Sequence, residues 1–232
     1  MLTGTIKSDL ESNLLRNNPE QRLDDYFKSL SYYSRMSEKL GFDVIFLENS
    51  GADMSKLALP NIILQRAPGR TDPSKGKGSG EADLIDFGVT SDPTISSRPW
   101  IAKITGRLIL ANMEKIFLKI PTDQNFFMAR VKSDLTSLDS RLLIFDPKVW
   151  GSYFLRMGSD VSDDSGLFLE SIAMQRLLGA MNGGVTFSPF IRSPRYKGYS
   201  GTSNQKYHSW KFRLNNLLED APIIIKEKFL NQ

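Results

Sequence analysis

Lys75-Gly76-Lys77-Gly78-Ser79-Gly80-Glu81-Ala82 is the stretch on which the fold turns. Gly76, Gly78 and Gly80 let the backbone approach a ligand closely and present its N–H groups. The segment after them, residues 82–89, predicts a helix, which would aim the positive end of its dipole at the same place. Residues 100–104 then read as a short apolar strand, broken at Thr105-Gly106-Arg107. Loop, helix and strand in this order are the wiring of an α/β sheet. Lys75, Lys77, Lys103 and Arg107 add positive charge, so the chemistry suits a phosphate or diphosphate. A solvated lysine-glycine loop fits this stretch alone equally well.

Outward from it, the chain alternates. Residues 2–6 (Leu-Thr-Gly-Thr-Ile) read as a first strand. Pro19 opens a helix in which Leu23, Tyr26, Phe27, Leu30, Tyr33 and Leu40 recur at helical spacing, and Gly41 ends it. Residues 43–47 form a buried strand that stops at Glu48-Asn49-Ser50, where α/β sheets bind ligands. The plainer alternative there is a turn with a helix cap. Residues 61–64 make a third strand, and 66–80 a mobile loop. Downstream, the pattern predicts an amphipathic helix near residues 109–120 and strands over 125–131 and 141–145. A helix at 147–157 buries Trp150, Tyr153 and Phe154. An acidic loop follows at 158–166, then a helix with Glu170 in its first turn and a strand over 183–190. A basic loop at 192–206 and terminal helices at 206–218 and 222–230 complete the chain. The alternation favours one domain, 1–232, with a mostly parallel sheet.

Composition narrows the function. The chain has 232 residues, no cysteine and one histidine, His208. Disulfides, thiol chemistry and the usual structural zinc sites are excluded. A net charge of +4 suits anionic ligands but is weak for a nucleic-acid binder. No apolar run of membrane-spanning length and no signal-peptide pattern is present, which predicts a cytoplasmic protein. The glycine run is neither a Walker loop nor the dinucleotide fingerprint. Asp83 and Asp86, three apart on one helix face, do not make the Asp-x-Asp strand of a polymerase-β-like nucleotidyltransferase.

Several motifs, taken in order, resemble a family of small bacterial glycosyltransferases of capsular polysaccharide or lipopolysaccharide O-antigen synthesis. They are Leu2-Thr3-Gly4-Thr5-Ile6, Arg22-x-x-x-Tyr26, Phe46-Leu47-Glu48-Asn49-Ser50-Gly51 and Gly76-Lys77-Gly78-x-Gly80-Glu81. Lys103-Ile104-Thr105-Gly106-Arg107, Asn112, Phe168-Leu169-Glu170 and Lys197-Gly198-Tyr199-Ser200-Gly201-Thr202 continue the pattern. The resemblance implies a GT-A-like, Rossmann-type sheet flanked by helices and a nucleotide-sugar donor. It also implies a glycan or lipid-linked acceptor, and leaves open a peripheral association with the inner membrane. Residues 1–120 would be the donor-binding half, and 121–232 the acceptor half.

On this basis Thr3, Gly4, Thr5, Arg22, Glu48, Asn49 and Ser50 are candidate donor contacts. So are Gly76, Lys77, Gly78, Gly80, Glu81, Lys103, Thr105, Gly106 and Arg107. Where GT-A enzymes carry a metal-binding Asp-x-Asp, this chain has Ile104-Thr105-Gly106-Arg107, which leaves metal dependence open and no cofactor firmly implied. Lys103 and Arg107 are expected to neutralise the diphosphate directly. Glu170 is the candidate general base, with Asp163, Asp164 and, more weakly, Asp146 as alternatives. Lys197, Ser200, Gly201 and Thr202 belong to a basic lid over the diphosphate. The competing function is a non-catalytic nucleotide-sugar or nucleic-acid binding protein. The basic 66–80 loop carries no aromatic residue for base stacking, which counts against nucleic acid.

Overall fold

A computed structural model describes residues 1–8 and 15–207. Among them a seven-stranded sheet forms the centre, in the order β3-β2-β1-β4-β7-β6-β8. Its strands are β1 (Leu2–Gly4), β2 (Val44–Glu48), β3 (Ile62–Arg66), β4 (Ile101–Thr105), β6 (Phe126–Ala129), β7 (Leu142–Phe145) and β8 (Thr186–Pro189). A two-residue ladder pairs β5 (Ile109–Leu110) with β9 (Tyr196–Lys197). All neighbours in the large sheet run parallel except β7, which is antiparallel to both β4 and β6. The expected α/β class, a mostly parallel sheet flanked by helices, is the one present.

Strand alternation sorts the core into two layers. Ile45, Leu47, Ile101, Phe127 and Phe145 face α2 (Lys77–Ser91) and α6 (Leu169–Asn182). Val44, Phe46, Ile104 and Met128 face α1 (Pro19–Leu40) and α4 (Met113–Phe117). The short α3 (Pro93–Ser96) and α5 (Pro147–Val149) complete the set. Helix α1 begins as the sequence signals: Asn18 caps it by accepting from the Gln21 N–H at 3.0 Å, Pro19 occupies its first turn, and Gly41 ends it at φ 71°. Because α1 leaves β1 for one face and α2 reaches β4 over the other, β1 and β4 border a topological switch point. A crevice opens there at their carboxyl ends.

Three local expectations are corrected. Helix α2 starts at Lys77, not at residue 82, so Gly78 and Gly80 are helical rather than part of a mobile loop. They are small for packing reasons: a Cβ on Gly78 would lie 3.1 Å from Leu169 and Val161, and one on Gly80 3.0 Å from Arg70. Residues 109–120 do not form one helix, because Ile109 and Leu110 pair with β9 and only Met113–Phe117 is helical. Past α5, residues 150–154 form a π-turn, with Trp150 and Phe154 stacked in the core. These rings pack against Phe127 and Phe145, and Tyr153, expected to be buried with them, is partly exposed. The two expected terminal helices, with His208, fall outside the described residues beyond Tyr207.

Gly4 tests this packing. A Cβ there would come within 2.5 Å of the Phe46 ring and 2.9 Å of Tyr26. Gly4→Ala should therefore cost about 1–3 kcal/mol of stability by overpacking. Gly179→Ala, in open space on α6, should gain about 0.4–1 kcal/mol. Urea denaturation of both variants reads the contrast.

Candidate active site

The crevice at the β1–β4 switch point is a cleft of about 100 Å³. Thr3, Gly4 and Thr5 come from the end of β1, and Thr105 and Arg107 from the end of β4. Lys77 and Glu81, one helical turn apart on α2, enter from above, and Arg22 and Tyr26 from α1. Gly106 keeps the two strand ends close, since a Cβ there would sit 2.6 Å from the Thr3 carbonyl oxygen. A larger cavity of about 360 Å³ lies at the opposite, amino ends of the strands, walled by Phe42, Trp100, Phe117 and aliphatic side chains. The smaller cleft has the convergent polar groups that orient a ligand.

Four expected ligand contacts turn out to build the rim instead. Glu48 is fully buried, and its carboxylate accepts the N–H groups of Ile6 (3.0 Å), Ser50 (2.9 Å) and Ala52 (3.3 Å) and the Ser50 hydroxyl. That leaves it no reach to a base or ribose. Asn49 is likewise engaged, accepting from the Thr5 hydroxyl at 2.7 Å and donating to the Gly80 carbonyl at 3.4 Å. Arg22 lines the cleft but is buried, and its guanidinium donates to the carbonyls of Thr5 and Arg16. Ser50 anchors the Lys7 N–H at 2.9 Å. The Tyr26 hydroxyl, accepting from the Thr5 N–H at 2.9 Å, completes the frame.

Beneath the cleft lies an ion pair whose lysine is wholly buried. By alternation Lys103 faces α2 with Ile101, and it has 0% exposure. Its ammonium donates to Glu81 Oε1 and to the Ser140 carbonyl, the latter at 2.6 Å. Lys103 is thus sealed away from any diphosphate, correcting the expectation. The hydroxyls of Thr105 and Thr3 also donate to Glu81 Oε1, at 3.2 and 3.4 Å. The Ser140 hydroxyl donates to Glu170 Oε1 at 2.8 Å, so Glu81, Lys103, Ser140 and Glu170 form one continuous chain of contacts. Glu170 is half-buried at the first turn of α6.

The N-terminus of α2 is not left open. Asp163 reaches it and accepts the Lys77 N–H at 3.0 Å, while Gly76, at φ 88°, leaves the room a side chain would take from Asp163. Asp164 is exposed nearby. Asp146 is removed from the site altogether: it ends antiparallel β7 at the amino side of β4 and caps α5, accepting the Lys148 N–H at 2.9 Å. Asp86, three residues along α2 from Asp83, accepts from Trp150 Nε1 at 2.7 Å and the Arg156 N–H at 2.8 Å. Burial raises its carboxyl above the usual range.

The basic loop folds across the mouth of the cleft. Lys77 donates to the Thr202 hydroxyl at 2.7 Å and Arg107 to the Tyr199 carbonyl at 3.3 Å. Arg16 ties the loop down further: its N–H donates to the Gly201 carbonyl at 3.2 Å, its guanidinium to Asn204 at 3.0 Å, and it stacks over Tyr199 at 4.2 Å. Its hydrogen-bonded pairing with Asp25 raises its own proton affinity further. Lys197 is exposed on β9, and the Ser200 hydroxyl accepts the Ser203 N–H at 3.2 Å. Arg16 escaped the sequence reading because it lies in a polar stretch without periodicity. The arginine's spacing to Asp25 in α1 was the available signal, and it is a weak one.

No family model matches the sequence. No curated protein matches it either. Among solved structures the chain is similar to the glycosyltransferase GlyE of Streptococcus pneumoniae TIGR4, with 10% identity and a TM-score of 0.44. That match covers 72% of this chain but only 42% of GlyE, so the chain spans less than half of its neighbour's length. With identity this low, the likeness assigns no residue of the cleft a role. No helix among the described residues is long and apolar enough to cross a membrane.

Asp163→Ala tests the helix cap. Losing an N-terminal carboxylate acceptor should cost about 0.5–2 kcal/mol. The fall in denaturation midpoint should reach the same value in Lys77→Pro only if the Lys77 N–H is the bond that matters, since proline is tolerated in a first helical turn but has no N–H to donate.

Proposed function

We propose that the protein is a glycosyltransferase that moves a sugar from a nucleoside-diphosphate donor to a hydroxyl of a glycan acceptor. One observation carries this: the cleft at the switch point gathers Lys77 and Arg107, the hydroxyls of Thr3, Thr5 and Thr105, and a hydroxyl-rich loop over its mouth. Two flexible cations over a shallow polar floor suit a diphosphate. The donor occupies the strand-end cleft built largely from residues 1–120, and the acceptor approaches from the side of α6, where Leu167 and Phe168 are exposed beside Glu170. The sequence resemblance supports a surface-polysaccharide or lipid-linked acceptor, and with it peripheral contact with the inner membrane.

In this reading Arg107 and Lys77 leave their loop partners and take up the negative charge that develops on the leaving diphosphate. The loop 197–202 then closes on the donor, with Ser200 and Thr202 offering hydroxyls to phosphate oxygens. Glu170 withdraws the proton of the acceptor hydroxyl as it attacks the sugar carbon, and Ser140 holds the carboxylate in place. Asp164 is the nearest alternative carboxylate on the exposed side.

Because no acidic pair stands at the end of β4, donor binding should survive chelation. Calorimetric titration of nucleoside-diphosphate sugars with and without EDTA checks this, and affinity that disappears with EDTA would sink it. Arg107→Ala should weaken donor and nucleoside diphosphate alike by about 1.5–3 kcal/mol, the range for a hydrogen bond to a charged group, and leave the bare nucleoside unchanged.

Glu170→Gln should keep fold and donor affinity while single-turnover transfer falls by about a hundredfold to ten-thousandfold. The charge lost at the start of α6 should cost only about 0.3–1 kcal/mol of stability. Near-normal turnover in the folded variant eliminates Glu170 as the base.

A further inference from the structure

Glu81 divides its carboxylate between two tasks. Oε1 is fully engaged by Lys103, Thr3 and Thr105. Oε2 has no partner among the described residues, and the side chain keeps 25% exposure on the wall of the cleft. A carboxylate oxygen is an acceptor only. Whatever it meets must therefore donate a proton or carry positive charge. The cationic choice is disfavoured by the surroundings, since Lys77, Arg107 and Arg22 line the same small cleft. Nor is there, among the described residues, any group of three or more acidic or histidine side chains placed to share a metal ion. A neutral donor is what remains, a hydroxyl or an N–H.

Position says which part of a ligand supplies it. Lys77 and Glu81 are four residues apart on one face of α2, which separates their side-chain origins by about 6 Å. A ligand whose phosphate is held at Lys77 thus presents its adjoining ring to Glu81. We propose that Glu81 Oε2 accepts a hydrogen bond from a hydroxyl of the sugar ring next to the diphosphate, making Glu81 the residue that selects hydroxylated over deoxygenated rings. Lys103 is its positioning residue: with Thr3 and Thr105 it fixes Oε1, which prevents the carboxylate from swinging toward Lys77. This assignment rests on the donor reading above. The ring hydroxyl belongs either to the nucleoside ribose or to the transferred hexose.

Titration calorimetry with the unaltered protein separates these sources. One arm takes UDP, GDP, ADP and CDP, then the 2′-deoxy and 3′-deoxy forms of the tightest binder. The other takes the corresponding glucose conjugate and its single-deoxyglucose forms. Removal of one particular hydroxyl should weaken binding about tenfold or more, because a charged acceptor is left buried without its donor. The arm in which this occurs names the ring. Glu81→Ala with Lys103→Met, which removes both charges together so that neither is stranded, should bind the hydroxylated and deoxy ligands within about twofold of each other. Equal binding of all deoxy forms by the unaltered protein overturns the role of Glu81 and leaves the donor reading intact. Discrimination that persists in the folded double variant overturns it too. Absence of binding by every diphosphate and conjugate overturns both.

Discussion

A lysine wholly removed from water in a central strand sets the terms for this molecule. The ammonium of Lys103 needs partners beneath α2, because stripping its hydration costs several kcal/mol. Glu81 and the Ser140 carbonyl supply them. This contact joins the helix that contains most of the glycine run to the central strand and to the turn before β7. The three small residues of that helix serve its other contacts: Gly78 lies against Val161 and Leu169, Ser79 donates to the Gly158 carbonyl, and Gly80 lies against Arg70. Gly78 and Gly80 each give up about 1 kcal/mol of helix propensity for that proximity. The charged pair therefore places a carboxylate in the cleft and fixes the wall on which it stands.

The loop over the cleft is held by the groups that a phosphate would seek. Lys77 and Arg107 spend their hydrogen bonds on Thr202 and the Tyr199 carbonyl. Neither bond is to a charged acceptor, so a phosphate oxygen would replace it with a stronger one. Arg16, by contrast, is locked to Asp25 and grips the loop at Gly201 and Asn204. The loop thus has a fixed anchor and two exchangeable latches.

Much of the sheet was legible because alternation and turn residues coincide. Residues 43–47 and 141–145 announce themselves as strands, but the strand-end rule pointed to Glu48-Asn49-Ser50, whereas the cleft opens at Thr3–Thr5 and Thr105–Arg107, which the sequence offered only through the family resemblance. The start of α2 was hidden because three glycines and two lysines look like a loop unless the packing partners Val161, Leu169 and Arg70 are known, and these are distant in sequence. Glu48 shows a different limit. A carboxylate at a strand end reads identically whether it faces a ligand or folds back on N–H groups, and only the path of residues 50–52 decides. Lys103 beside Ile104 carried its charge openly in the sequence, but its depth depended on which face of β4 the helix covers. Asp163 could not be linked to Lys77 by any local pattern, as 86 residues separate them.

That cap has a structural consequence. Helix α2 belongs to the first half of the chain, yet its exposed dipole end is neutralised by a carboxylate from the second, its Ser79 hydroxyl bonds the Gly158 carbonyl at 3.0 Å, and its packing surface is completed by Val161 and Leu169. β4 meanwhile pairs with β7 from that second half. The two halves are interlocked as pieces of one sheet and one helix layer, so a cut near residue 120 severs no linker. It would expose a bare helix end and an unpaired central strand edge, which is the surface most prone to join another copy. During synthesis, the cleft cannot take its final form until residues well past its own have emerged.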